Sequence, residues 1–214
     1  MGEKITLNQG SGGTMTNKLI RDVFINRFDI CEPLTDSAIL KEEGYNLVFT
    51  TDSYVVDPVF FPGGDIGKLA VCGTVNDLAV SGAIPRYISA AFIIEEGFPL
   101  SELEIIAESM KTESIKAGVK IVTGDTKVVE KGKCDQLFIT TSGIGILSHE
   151  MEHIGSGQRV SSGDKVIVNG PLGNHSIAVL GARNKLSFSS PVVSDCASLN
   201  HLIRKVLCES DGIR

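Results

Sequence analysis

Phe60-Phe61-Pro62-Gly63-Gly64-Asp65-Ile66-Gly67-Lys68-Leu69-Ala70-Val71-Cys72-Gly73-Thr74-Val75-Asn76-Asp77-Leu78-Ala79 is the stretch on which the fold turns. After the Pro-Gly-Gly turn, apolar residues run round the whole helical circumference, so residues 65–81 read as a buried helix. Gly73 in its middle costs roughly 1 kcal/mol relative to Ala, which predicts a close packing contact there. On the helical wheel Asp77 falls beside Ile66, Ala70, Gly73 and Val80. A mid-helix aspartate on an apolar face has no capping role, and an ionised carboxylate buried without a partner costs several kcal/mol. A shared divalent cation is the simplest relief.

Working outward, β-branched runs bounded by Gly, Asp or Pro predict strands over residues 45–51, 87–94, 119–129 and 136–147. A second helix is expected from the capping box Ser101-x-x-Glu104, with Leu103, Ile106, Ala107 and Met110 on one face and Gly118 as its stop. From 151 to 163 the pattern lapses into Gly, Ser, His and charge. The expected organisation is therefore a domain over 1–150, a linker over 151–163, and an incomplete second α/β domain over 164–214. That last part has a strand at 165–169 and helices near 175–182 and 196–207.

Composition narrows the function classes. The chain has 214 residues, 42% hydrophobic and 21% charged, which suits a globular core without disulfides or a structural metal. The net charge is −6 and the basic residues form no run, so nucleic acid and anionic membranes are poor partners. No Trp and three Tyr argue against an aromatic stacking surface. The N-terminus has no apolar signal region and no stretch is apolar enough to span a membrane. Five cysteines without C-x-x-C spacing read as reduced thiols, so a cytoplasmic location is expected.

Three further aspartates join Asp77 as candidates. Asp36 follows Pro33-Leu34-Thr35, Asp52 ends the strand Leu47-Val48-Phe49-Thr50-Thr51, and Asp125 closes Ile121-Val122-Thr123-Gly124. Magnesium takes hard oxygen ligands and commonly bridges carboxylates to substrate phosphates. The loop Gly10-Ser11-Gly12-Gly13 offers backbone N–H groups to phosphate oxygens, and Lys127 or Lys68 a positive charge. Lys68 lies opposite Asp77 on the wheel, so Lys127 is preferred. Taken singly, an aspartate at a strand end is also a turn former or a helix cap, and neither G-x-x-x-x-G-K-[ST] nor a strand-led G-x-G-x-x-G is present. His149, His153, His175 and His201 all fall late, without metal-ligand spacing to a cysteine. Spacing alone reaches a magnesium–nucleotide site and stops there.

Beyond it, Thr50-Thr51-Asp52-Ser53-Tyr54-Val55-Val56-Asp57-Pro58, the opening stretch from Phe60 to Ala79, and Gly124-Asp125-Thr126-Lys127-Val128-Val129 resemble the HypE family of hydrogenase maturation proteins. Gly170-Pro171-Leu172-Gly173-Asn174-His175 and Ser194-Asp195-Cys196-Ala197-Ser198-Leu199-Asn200 continue the likeness. That family is grouped with aminoimidazole ribonucleotide synthetase, selenophosphate synthetase and thiamine monophosphate kinase. The resemblance implies an α/β (α+β) N-terminal domain whose mixed sheet pairs with a second copy across a homodimer, with ATP and Mg2+ as cofactors. It implies Asp36, Asp52, Asp77 and Asp125 as metal carriers and Asn76 as a supporting polar contact. Lys127 would be the phosphate or catalytic contact, and Gly10, Gly12 and Gly13 the phosphate-covering loop. The implied reaction is ATP-dependent dehydration of a carboxamide on a C-terminal cysteine thiol to thiocyanate. HypF would deliver the carbamoyl group and the HypC–HypD complex receive the cyanide during [NiFe]-hydrogenase maturation.

Two departures accompany it. Asn174 and Ser176 stand where the family has Asp and Gly. The chain ends Cys208-Glu209-Ser210-Asp211-Gly212-Ile213-Arg214 without the family's acceptor tail, so the acceptor role is not carried to Cys208. The alternatives are a phosphotransferase of the same superfamily and a catalytically silent, dimerising or binding fragment.

Overall fold

The computed structural model describes residues 4–30, 34–210 and 212–214, in two compact units, one ending at Leu34 and one running Thr35–Arg214. The first begins with a 3-10 turn, Leu7–Gly10, closed by a reciprocal capping box between Thr6 and Gln9. Helix α1 (Thr14–Leu19) continues through a π-helical stretch, Ile20–Ile25, into α2 (Asn26–Phe28). Gly12 turns with φ +76° and donates its N–H to Thr16 Oγ1 at 2.9 Å.

The second unit is built on β1 (Ala38–Glu42), β2 (Tyr45–Tyr54), the small hairpin β3 (Phe60–Phe61) and β4 (Gly64–Asp65), then helix α3 (Ile66–Val80). Strand β5 (Ile84–Glu95), helix α4 (Leu100–Ala117), strand β6 (Lys120–Val129) and strand β7 (Leu137–Leu147) complete the main layer pair. Five strands form one mixed sheet in the order β1-β2-β7-β5-β6, parallel between β5 and β6 and antiparallel elsewhere. Thus β1 and β6 are its two edges.

Strict alternation makes β7 the spine of the core, its odd-numbered residues buried from Leu137 to Leu147. Leu137 and Ile139 pack with Ile66, Ala70, Val71 and Val75 of α3 and Ile106 and Met110 of α4, and Leu147 with Val48, Leu78 and Ala83. Asp65 caps α3, accepting from the N–H groups of Gly67 at 2.8 Å and Lys68 at 3.0 Å. The other sheet face carries exposed apolar residues, among them Leu40, Phe49, Tyr87, Ile93, Ile144 and Ile146.

Three expectations change. Helix α4 starts at Leu100 behind Pro99, so Ser101 is inside the first turn and makes no capping box. Proline's fixed φ suits it to a helix entry. The strand expected at 165–169 is not formed: Val166 is 95% and Ile167 83% exposed. A β-branched run becomes a strand only where a neighbour takes its backbone hydrogen bonds, and none pairs with it among the described residues. Beyond the short α5 (Glu152–Ser156) and α6 (Asn174–Arg183), the last helix, α7, spans Asn200–Glu209 and not 196–207. Its start is set by bonds outside the helix: Ser194 Oγ accepts from Cys196 N at 3.1 Å and Asn76 Oδ1 from Leu199 N at 2.7 Å.

Candidate functional site

Side chains alternate along β2, so Thr50, Asp52 and Tyr54 all face α3, and Asp77 comes from that helix to meet them. The Thr50 hydroxyl stands 3.1 Å from Asp77 Oδ2 and 2.8 Å from the carbonyl oxygen of Asp36, sharing its proton between them. Ser37 and Ser81 each donate to the backbone carbonyl of Asp77 at 3.1 Å. Asp36, just ahead of edge strand β1, is thereby tied to the same corner. The Tyr54 hydroxyl donates to Asp52 Oδ2 at 2.9 Å.

Electrostatics mark this corner. Burial, then the charge of Asp52 and to a lesser degree that of Asp36, pushes the Asp77 carboxyl up to about 7, against the opposing effect of its bond from Thr50. Burial also raises the Tyr54 phenol well above its usual range, which keeps it a donor. Two adjacent carboxylates with a third nearby concentrate negative charge at this corner.

Other candidates lie elsewhere. The ladder Asp52–Thr141–Ala90–Gly124 puts Gly124 on the helix-facing side, so its neighbour Asp125, in line with Ala91, Thr140 and Ser53, faces the opposite way. Three strand spacings of about 4.8 Å separate β2 from β6, so Asp125 stands roughly 14 Å from Asp52. Asp125 and Lys127 share the open face on exposed edge strand β6, and within one chain they do not join the other aspartates. Asn76 is occupied otherwise, its amide donating to Ala197 O at 3.0 Å and accepting from Leu199 N. It clamps the 197–199 segment and leaves no amide group turned to the carboxylates. Gly10, Gly12 and Gly13 belong to the first unit, at the entry to α1.

Thr50, Tyr54, Thr74 and Thr141 escaped the sequence reading. The period-two spacing of Thr50, Asp52 and Tyr54 carried that signal; the Thr74–Thr141 contact is a tertiary pairing with no local trace.

Among the described residues no three His, Cys, Asp or Glu side chains stand in a ready-made cage for a metal ion. One or two carboxylates are, however, what magnesium takes from a protein when substrate phosphates and water complete its shell. The chemistry of Asp52 and Asp77, adjacent hard oxygens of which one raises the proton affinity of the other, fits that ion.

Known proteins resemble the chain as a whole. Residues 34–147 match the family model for AIR synthase related protein, N-terminal domain. The chain is 52% identical to carbamoyl dehydratase HypE of Rhodobacter capsulatus over 99% of its own length, and spans 63% of that relative. A solved HypE–HypF complex aligns with TM-score 0.82 and 50% identity over 90% of this chain and 62% of that one. A HypE structure in complex with ATP aligns with TM-score 0.74 and 47% identity over 96% of this chain and 61% of that one. No helix among the described residues is long and apolar enough to cross a membrane. With more than half its residues matched by the family model, the chain belongs to the AIR synthase related family.

Proposed function

We propose that this chain carries the nucleotide-handling part of an ATP-dependent carbamoyl dehydratase acting in hydrogenase maturation. The observation that carries the reading is the Asp77 carboxyl raised to about 7 beside Asp52 and Asp36. A protein keeps carboxylates in such repulsion where a cation and an anionic substrate are to be bound together. The HypE relative solved with ATP supports the nucleotide, and the carbamoyl dehydratase named among the relatives supports the reaction class.

Magnesium, held by Asp52 and Asp77 with help from Asp36, would neutralise charge on the transferred phosphoryl group. The chain's own residues orient and balance the site: Thr50 bridges Asp77 to the Asp36 backbone, and Ser37 and Ser81 hold the Asp77 turn of α3. Transfer of the γ-phosphoryl group of ATP to the carboxamide oxygen would release ADP and one amide proton, and loss of that oxygen as phosphate with the second proton would leave a thiol-bound cyanide.

Asp125 and Lys127 enter through a homodimer. Asp36 borders edge β1, and Asp125 and Lys127 lie on edge β6. In a two-fold pairing that sets the β6 edge of one copy beside the β1 edge of the other, the open apolar faces close on each other and both edges are covered. Asp125 and Lys127 of one copy then approach the carboxylates of its mate as metal and phosphate contacts. Gly10, Gly12 and Gly13 would cover the phosphates. HypF as a partner is supported by the solved HypE–HypF complex. Delivery to HypC–HypD, and a cytoplasmic place of action, follow from the family reading.

The test presents a carbamoylated cysteinyl peptide in trans to the chain with ATP and Mg2+ and follows the peptide by mass spectrometry. Loss of one water that requires ATP is expected. A stable phosphorylated product would point instead to a phosphotransferase, and ATP binding without turnover to a binding fragment.

A further inference from the structure

Tyr54 lies at the end of β2, two residues beyond Asp52 and on the same face. Its hydroxyl is 2.9 Å from Asp52 Oδ2 and 3.3 Å from Thr74 Oγ1. The Thr74 hydroxyl in turn meets Thr141 Oγ1, and both threonines are fully buried. A phenol has one proton to give. Once it goes to Asp52, the Tyr54 oxygen accepts from Thr74, and the Thr74 oxygen from Thr141. The Ala70 carbonyl, 3.5 Å from Thr141 Oγ1, is at the limit of hydrogen bonding and competes weakly. Three hydroxyl dipoles therefore point along one line into a single carboxylate.

Room for this chain comes from Gly73. A Cβ on Gly73 would overlap the Tyr54 hydroxyl oxygen. The glycine that weakens the middle of α3 is what admits the hydroxyl between strand and helix.

We propose that Tyr54 is a positioning residue of the carboxylate site: its hydroxyl, backed by Thr74 and Thr141 and admitted by Gly73, fixes one oxygen of Asp52 so that the remaining lone pairs meet a cation in one orientation. This rests on the magnesium–nucleotide reading above. Hydrogen-bond partners of metal-binding carboxylates set ligand orientation, and their loss typically lowers metal affinity about tenfold or more.

The experiment is calorimetric titration of the chain with ATP at a series of Mg2+ concentrations, alongside thermal melts in EDTA. Tyr54→Phe keeps the ring and removes the donor. It raises the Mg2+ needed for half-maximal binding about tenfold while the EDTA melt and metal-free nucleotide binding stay as in the wild type. Gly73→Ala, which displaces the hydroxyl, acts in the same direction, and Thr74→Val gives a smaller shift. A packing role alone would lower the melting temperature and leave the Mg2+ dependence where it was. An unchanged Mg2+ half-point in Tyr54→Phe overturns the positioning role, and the same result in Thr74→Val does so if the Phe variant does not fold. Wild-type ATP binding that ignores Mg2+ overturns the underlying reading, and the proposal with it.

Discussion

At the β2–α3 rim, Asp52 and Asp77 are half-buried, hydrogen-bonded by Tyr54 and Thr50, and close enough for one charge to raise the other's proton affinity. On edge strand β6, Asp125 and Lys127 are exposed on the opposite sheet face. The residue type is the same, but burial and neighbouring charge differ. At the rim, the carboxylates perturb one another within a single chain. At the edge, water already satisfies them, and their use depends on a surface that a second molecule must bring.

The sharpest break in that comparison is at Asp77. Asp77→Asn keeps the acceptor for Thr50 but removes a charge, so Mg2+-dependent ATP binding should fall by at least about a hundredfold, or about 2.7 kcal/mol. The melt in EDTA at pH 8 should be no lower than the wild type's, since a repulsion has been removed. Calorimetry and melts together check this, and unchanged ATP affinity would remove Asp77 from the site.

Protons probe the same contrast. The Asp77 carboxyl, at about 7 in the fold against an ordinary 3.8, favours its protonated form. Its contribution to metal-free stability is therefore complete below about 3.8 and is lost as pH rises through about 7. Mg2+ competes with that proton, so the apparent Mg2+ affinity should drop up to about tenfold per pH unit below 7. The stabilisation conferred by Mg2+ and ATP in thermal melts should accordingly be large at pH 8 and small at pH 5.5. A pH-independent Mg2+ effect would mean that the raised carboxyl is not a ligand.

Much of the rim was legible from residue order. Apolar residues all round α3 announced its burial, and Asp77 stood out because no cap or turn explained it. Gly73 announced a close contact, although its partner, the Tyr54 hydroxyl, is set by how β2 crosses α3. Strand β1 passed unread because a five-residue edge strand with one half-buried residue shows almost no alternation. Residues 165–169 had strand composition without a partner strand, which composition cannot report. Asn76 entered the candidate site through the family resemblance alone. One residue is 100° of helix, enough to turn it to the 197–199 segment.

The β6 edge is tested by concentration. If Asp125 and Lys127 serve the site of a second copy, Lys127→Ala or Asp125→Asn should weaken Mg2+-dependent ATP binding by about tenfold, some 1.4 kcal/mol. The variants should complement one another: mixing Lys127→Ala with Asp77→Asn should give hybrid dimers holding one site with neither defect. Binding that is unaffected by these variants at concentrations where light scattering finds a dimer would confine the site to a single chain.

Asp36 stands between the two regions and should give the smallest effect. Its side chain is exposed, like those on β6, yet its backbone carbonyl shares the Thr50 hydroxyl with Asp77 and its charge adds to the rise of the Asp77 carboxyl. Asp36→Asn leaves that carbonyl in place and removes only a charge that solvent already screens. Mg2+-dependent ATP binding should weaken a few-fold, about 1 kcal/mol or less, and the loss should shrink further at high salt. The pH at which Mg2+ binding is half-suppressed should move down, because less negative charge then holds the proton on Asp77. A loss as large and as salt-resistant as that of Asp77→Asn would instead make Asp36 a direct ligand, and the rim a three-carboxylate site.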